Sequence, residues 1–171
     1  MATSAAGAYE SSNLGQWLRH GIIGGILAGI VFALFEMLAA AVMMGAEAFF
    51  MPLRMIGGIA LGEEALAPET SLLMAGAAGV AVHMAMSAVF GAAIALVAAV
   101  VPALRSGTVP LVAWASVAGF ALWLVNFFVI ASIAGWRWFP DGTDPLVQFV
   151  AHTFFFGTPL GLYFDRFARR H

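Results

Sequence analysis

Four polar side chains stand deep inside apolar runs of this chain: Glu36, His83, Asn126 and His152. An acid, an amide and two imidazoles can do chemistry if the fold brings them together. A carboxylate in the middle of a membrane helix costs about 2.5–3.5 kcal/mol on insertion scales, so such groups turn inward, toward a partner or a cavity. Two imidazoles facing across a helix bundle could hold a b-type haem. His83 and His152 would be its axial ligands. Gly79 and Ser87, one turn either side of His83, would leave room for the haem face, and Arg54 or Arg137 near the interface would meet a propionate. Glu36 with His83 and His152 is equally a ligand set for a transition metal such as iron or zinc. The same trio could relay protons. A last reading needs no guest: Glu36 and His83 hydrogen-bond each other between helices and set their register, with Asn126 and Gln148 completing a polar layer.

The elements that carry these groups are long. Span 1, residues 21–45, is apolar or small except for Glu36, and about 20 such residues cross a hydrocarbon core. Ala46-Glu47-Ala48 fits a cleavage pattern, but secretory apolar cores run about 7–15 residues and this one is far longer. Span 2 covers residues 72–101, span 3 residues 111–134 and span 4 residues 145–164. The segment at 49–62 is too short to cross; it reads as an interfacial helix lying flat or as a re-entrant piece, started by Pro52. Residues 1–20 read as a cytoplasmic tail and residues 166–171 as a basic one, leaving 21–165 as the membrane domain. With a rise of about 1.5 Å per residue, the four polar groups fall roughly 10–17 Å beneath one surface, in a single slab.

Small residues recur every four positions. Gly21, Gly25 and Gly29 form a stripe on span 1, and Gly79, Ser87 and Gly91 flank His83 on span 2. Gly157 and Gly161 lie beside Gln148 and His152 on span 4. In lipid, small residues let backbones approach closely. These stripes exceed what one small bundle needs, which points to a larger membrane complex or a second copy as partner. The methionines read as core filling rather than as copper ligands.

Composition agrees. Of 171 residues, 63% are hydrophobic and 9% charged, against about 25% charged in a soluble domain. Cysteine and lysine are absent, which removes thiolate chemistry. The net charge of −2 and the lack of a basic cluster make nucleic acid an unsuitable partner. No phosphate loop, Gly-x-Ser-x-Gly or His-Glu-x-x-His motif is present. Arginine counting sets the orientation. Arg19, Arg105, Arg166, Arg169 and Arg170 share the side of both termini. Arg54 and Arg137 lie opposite, among six acids. Both ends are therefore expected in the cytoplasm.

Several stretches resemble an uncharacterised family of short four-span bacterial inner-membrane proteins. They are Phe35-Glu36-Met37, Pro52-Leu53-Arg54-Met55-Ile56, Val82-His83-Met84 through Phe90-Gly91, Trp123-Leu124-Val125-Asn126-Phe127, and Asp144-Pro145-Leu146-Val147-Gln148-Phe149 through His152. The resemblance spans most of the chain from Gly21 onward. It implies a bacterial inner-membrane setting and carries no activity or site. The expected architecture is an all-α, antiparallel up-down four-helix bundle in lipid. The leading functional reading is an accessory membrane subunit or self-associating scaffold, with haem b or a transition metal as alternatives in the polar layer.

Overall fold

Residues 2–44 contain no proline, and their alanines, leucines and isoleucines favour one unbroken rod. In the computed structural model of the chain, which describes the backbone of residues 2–169 and the side chains of 14–169, they form a single helix, α1, Ala2–Met44. The segment read as a tail over 1–20 is thus largely helical. Its last turns are packed: Trp17 is buried, its ring edge-on to Phe164 with centroids 5.7 Å apart. His20 Nδ1 and Tyr163 Oη stand 3.2 Å apart. Burying an aromatic body while its polar neighbour keeps a partner holds this stretch against the rest of the protein. Of the basic C-terminal tail, Arg170 and His171 lie outside the described residues, and Arg169 is ion-paired with Asp165.

The described residues are helical throughout, joined by tight turns. After α1, a 3-10 turn at Ala46–Phe50 leads into α2, Met51–Leu61. Helix α3 is Leu72–Val100 and α4 is Thr108–Ala134, the latter with a π-helical stretch at Val125–Ile130. One helical turn, Trp138–Asp141, precedes α5, residues 145–168. Helix α5 starts where Asp144 Oδ1 accepts from the amides of Leu146 and Val147, at 2.8 and 3.0 Å, with Pro145 at its first position. It passes through π-helical turns at Ala151–Gly157 and Phe164–Ala168. Gly45 and Gly62 take φ of 103° and 85° at the two ends of the α2 region, where a side chain would be strained.

Residues 14–44 of α1, together with α3 and α4, are long and apolar enough to cross a membrane. Val42, Leu73 and Ile133 are 85%, 82% and 84% exposed. Large apolar side chains bared on every long helix suit a hydrocarbon solvent and not water. This is a helical membrane protein.

The small-residue stripes are spent inside the chain. A Cβ on Gly21 would come within 2.6 Å of Ala92 Cα. Gly25 meets the Ser87 carbonyl, Gly29 meets the Ser87 side chain, and Gly91 meets Gly21 O. On the other side, Gly157 abuts Ala115 O, and a Cβ on Gly161 would lie 2.6 Å from Val112 Cα. Gly119, which the stripe pattern did not include, abuts His152 O. Ser116 Oγ and Thr158 Oγ1 hydrogen-bond at 2.8 Å across the same seam. These approaches are closer than any Cβ permits, which is why glycine recurs there.

Helix α2 is bound lengthwise to α3 rather than across it. Gly79 meets Leu53 O and Gly57 meets Ala75 O, two contacts one turn apart on each helix. Gly79, expected to clear space for a haem face, clears it for the α2 backbone. Trp138 Nε1 donates to Met55 O at 3.0 Å and its ring covers Gly58. That tryptophan is a bolt between segments.

Candidate functional site

Where α1, α2, α3, α4 and α5 converge they leave a cavity of about 280 Å³. Glu36, His83, Asn126, Gln148 and His152 all line it. The volume lies at the lower edge of the about 300–1,000 Å³ typical of ligand pockets. The polar groups from four helices are thus at one place, but not paired as the sequence reading arranged them.

Glu36 is 8% exposed and takes its hydrogen bond from Gln148, not from His83: Gln148 Nε2 donates to Glu36 Oε2 at 2.8 Å. Its other oxygen, Oε1, is buried with no hydrogen-bond partner. His83 donates from Nε2 to Gly29 O, 2.8 Å away on α1. His152 donates from Nδ1 to Gln148 O at 2.9 Å, one turn back on its own helix. A carbonyl can only accept, so both contacts fix a ring tautomer with the proton on the bonded nitrogen. In a neutral ring the second nitrogen is then a lone-pair acceptor: Nδ1 of His83 and Nε2 of His152. Gln148 organises the group, since its side chain holds Glu36 and its backbone holds His152.

Phe32 was not singled out from sequence, because one phenylalanine among many on α1 carries no signal. It packs against both imidazoles. Its ring stacks on His83 with centroids 5.4 Å apart and meets His152 edge-on at 4.8 Å. A bis-histidine haem needs both ring faces and facing nitrogens free of other groups, and here one phenyl ring packs against both imidazoles while each ring holds a backbone carbonyl. Arg54 is spent as well: its guanidinium donates to Ala65 O, Ala67 O and Thr70 O at 2.9, 3.1 and 2.8 Å. It ties down the 62–71 connection instead of facing the cavity. The residues present do not fit a haem. Among the described residues, no group of three or more His, Cys, Asp or Glu is placed to hold a metal ion. The Glu36, His83 and His152 trio is split by Phe32 and by separate hydrogen bonds.

Two of the three π-helical stretches serve this site. Val125–Ile130 turns Asn126, Phe127 and Ile130 onto the cavity wall, and Ala151–Gly157 does the same for His152 and Phe156. A π turn adds a residue to one helical turn and rotates everything beyond it, and such bulges cluster at functional sites. Sequence carries no usable mark of them. The rest of the wall is apolar and adaptable, with Met43, Met44, Met51, Met55 and Met86 along one side.

The Glu36–Gln148 pair makes a specific prediction. Glu36→Leu leaves the Gln148 amide unpaired, and Gln148→Leu leaves the carboxyl with no partner. Each single change costs about 1–3 kcal/mol. The double change to leucine costs less than the sum, with a coupling of about 1 kcal/mol. Unfolding the four proteins in mixed micelles measures it; strict additivity would show that the pair contributes nothing.

Comparison of the chain with protein-family models, with curated proteins and with solved structures finds no match. The reading of its role therefore rests on the site.

Proposed function

We propose that the protein is a four-span protein of the bacterial inner membrane, with both termini cytoplasmic, that binds a small amphipathic molecule in its interior cavity. The observation that carries this reading is Glu36: a carboxyl set in the wall of a largely apolar cavity, one oxygen held by Gln148 and the other buried without a hydrogen-bond partner. An orphaned buried oxygen is costly in hydrocarbon, and a bound donor removes that cost. A largely apolar cavity with a few convergent polar groups is the usual form of a small-molecule site.

Four spans are supported by α5, whose length at about 1.5 Å per residue comes to about 36 Å, enough for a hydrocarbon core of about 30 Å. An antiparallel order is supported by the seams: contacts on α1 advance from Gly21 to Gly29 as those on α3 retreat from Ala92 to Ser87. The lengthwise pairing of α2 with α3 favours a re-entrant piece over a flat interfacial helix. The arginine distribution favours cytoplasmic termini. The accessory-subunit reading drew on stripes with no evident use, and their internal contacts supply one.

The test is binding of phenylbutanol to the protein in phosphatidylcholine nanodiscs, read by saturation-transfer NMR against empty discs. Saturable binding is expected. Ala40→Trp, which fills the cavity from α1, should abolish it while helical circular dichroism is kept. Binding that survives the tryptophan would end the cavity reading.

A further inference from the structure

Resting on that reading, we infer that the cavity selects a lipophilic organic cation, an ammonium group on an apolar aromatic or alkyl body. Beside the donor-bearing amide of Asn126 and hydroxyl of Ser87, the wall carries two acceptors that lack a donor. Glu36 Oε1 has no donor, and the tautomer set by the Gln148 carbonyl leaves Nε2 of His152 with a lone pair. A guest that satisfies them must bring hydrogen-bond donors. An alcohol brings one; an ammonium brings several, together with a charge that favours the ionised form of the buried carboxyl by pairing with it.

The surrounding surface has the matching electrostatics. Glu36 is the buried acid of the wall, Asp144, whose Oδ1 caps α5, is an exposed one, and no arginine joins them among the described residues. Phe32, Phe90, Phe127, Trp136, Phe139 and Phe156 contribute rings. The negative faces of such rings attract a cation most strongly where water is excluded, and aromatic cages recognise ammonium groups by this means. The methionine side of the cavity adapts to apolar bodies of differing shape. A carboxylate or phosphate ligand would instead meet the Glu36 carboxyl, with no arginine in the wall among the described residues to answer its charge.

The experiment compares three probes of one shape in zwitterionic nanodiscs: phenylbutylamine, phenylbutanol and phenylbutyrate. The amine should bind about tenfold or more tighter than the alcohol, with the butyrate weakest. Glu36→Gln keeps a hydrogen-bonding partner for Gln148, removes the ionisable group, and should erase the advantage of the amine over phenylbutanol. Phe139→Leu should weaken the amine more than the alcohol. Equal affinity of amine and alcohol in the unaltered protein overturns the inference, as does an amine advantage that survives Glu36→Gln; either result leaves the cavity reading standing. Failure of all three probes, with Ala40→Trp indistinguishable from the unaltered protein, overturns the cavity reading instead. If Glu36→Gln does not fold, the comparison of the three probes in the unaltered protein decides.

Discussion

Gly91→Ala is expected to destabilise the protein by about 2–3 kcal/mol, although it adds a single methyl group. The new Cβ would stand 2.6 Å from Gly25 Cα and press on Gly21 O. Both are backbone atoms of α1, so no side chain can swing aside. Relief requires α1 and α3 to part along the seam that also positions Gly29 O against His83. The control is Gly76→Ala on the same helix, whose nearest neighbour is Leu72 Cδ1 at 4.0 Å. That change should stay within about 0.5 kcal/mol of the unaltered protein. Thermal or denaturant unfolding in mixed micelles separates the two. Equal tolerance at both positions would mean that the close approach of α1 and α3 does not hold the bundle together.

Arg54→Met should have an effect of similar size, and a local one. Three charge-assisted hydrogen bonds from one guanidinium close the connection between α2 and α3. Because the connection lies partly in water, its carbonyls can rehydrate, and the net loss is about 3 kcal/mol rather than the sum of three bonds. Amide exchange should rise across residues 62–71, and cleavage beside Glu63 and Glu64 by a glutamate-directed protease should accelerate. Exchange in α4 should be unaltered. Arg54→Lys should restore little, since an ammonium cannot span three acceptors as the planar fork does. Unchanged exchange in the connection would remove Arg54 from this role.

Much of the fold was legible because hydrocarbon is an exacting solvent. Uncharged apolar runs of sufficient length announced the helices at 21–45, 72–101 and 111–134, and proline and glycine clusters announced the turns. The helical start of the chain was less legible, because the polar composition before Trp17 masks the contact of that ring with Phe164. The depth of Glu36, His83, Asn126 and His152 could be counted along the chain, and these residues line one cavity. Their partners could not be counted. Gln148 rather than His83 meets Glu36, Gly29 O meets His83, and Phe32 fills the gap where a haem was imagined.

By itself, then, the sequence determined the solvent, the long helices and the polar residues that share one cavity, since each follows from residue type and from a constant rise per residue. Only the tertiary structure decided which acceptor meets which donor. Pairing depends on the rotation of each helix about its axis. That rotation is set by glycine-to-backbone contacts between α1 and α3 and between α4 and α5, and by π turns that shift the phase of α4 and α5 partway along. No periodicity in a single chain encodes those phases, and in them lies the difference between a pair of haem ligands and a carboxyl with one open oxygen.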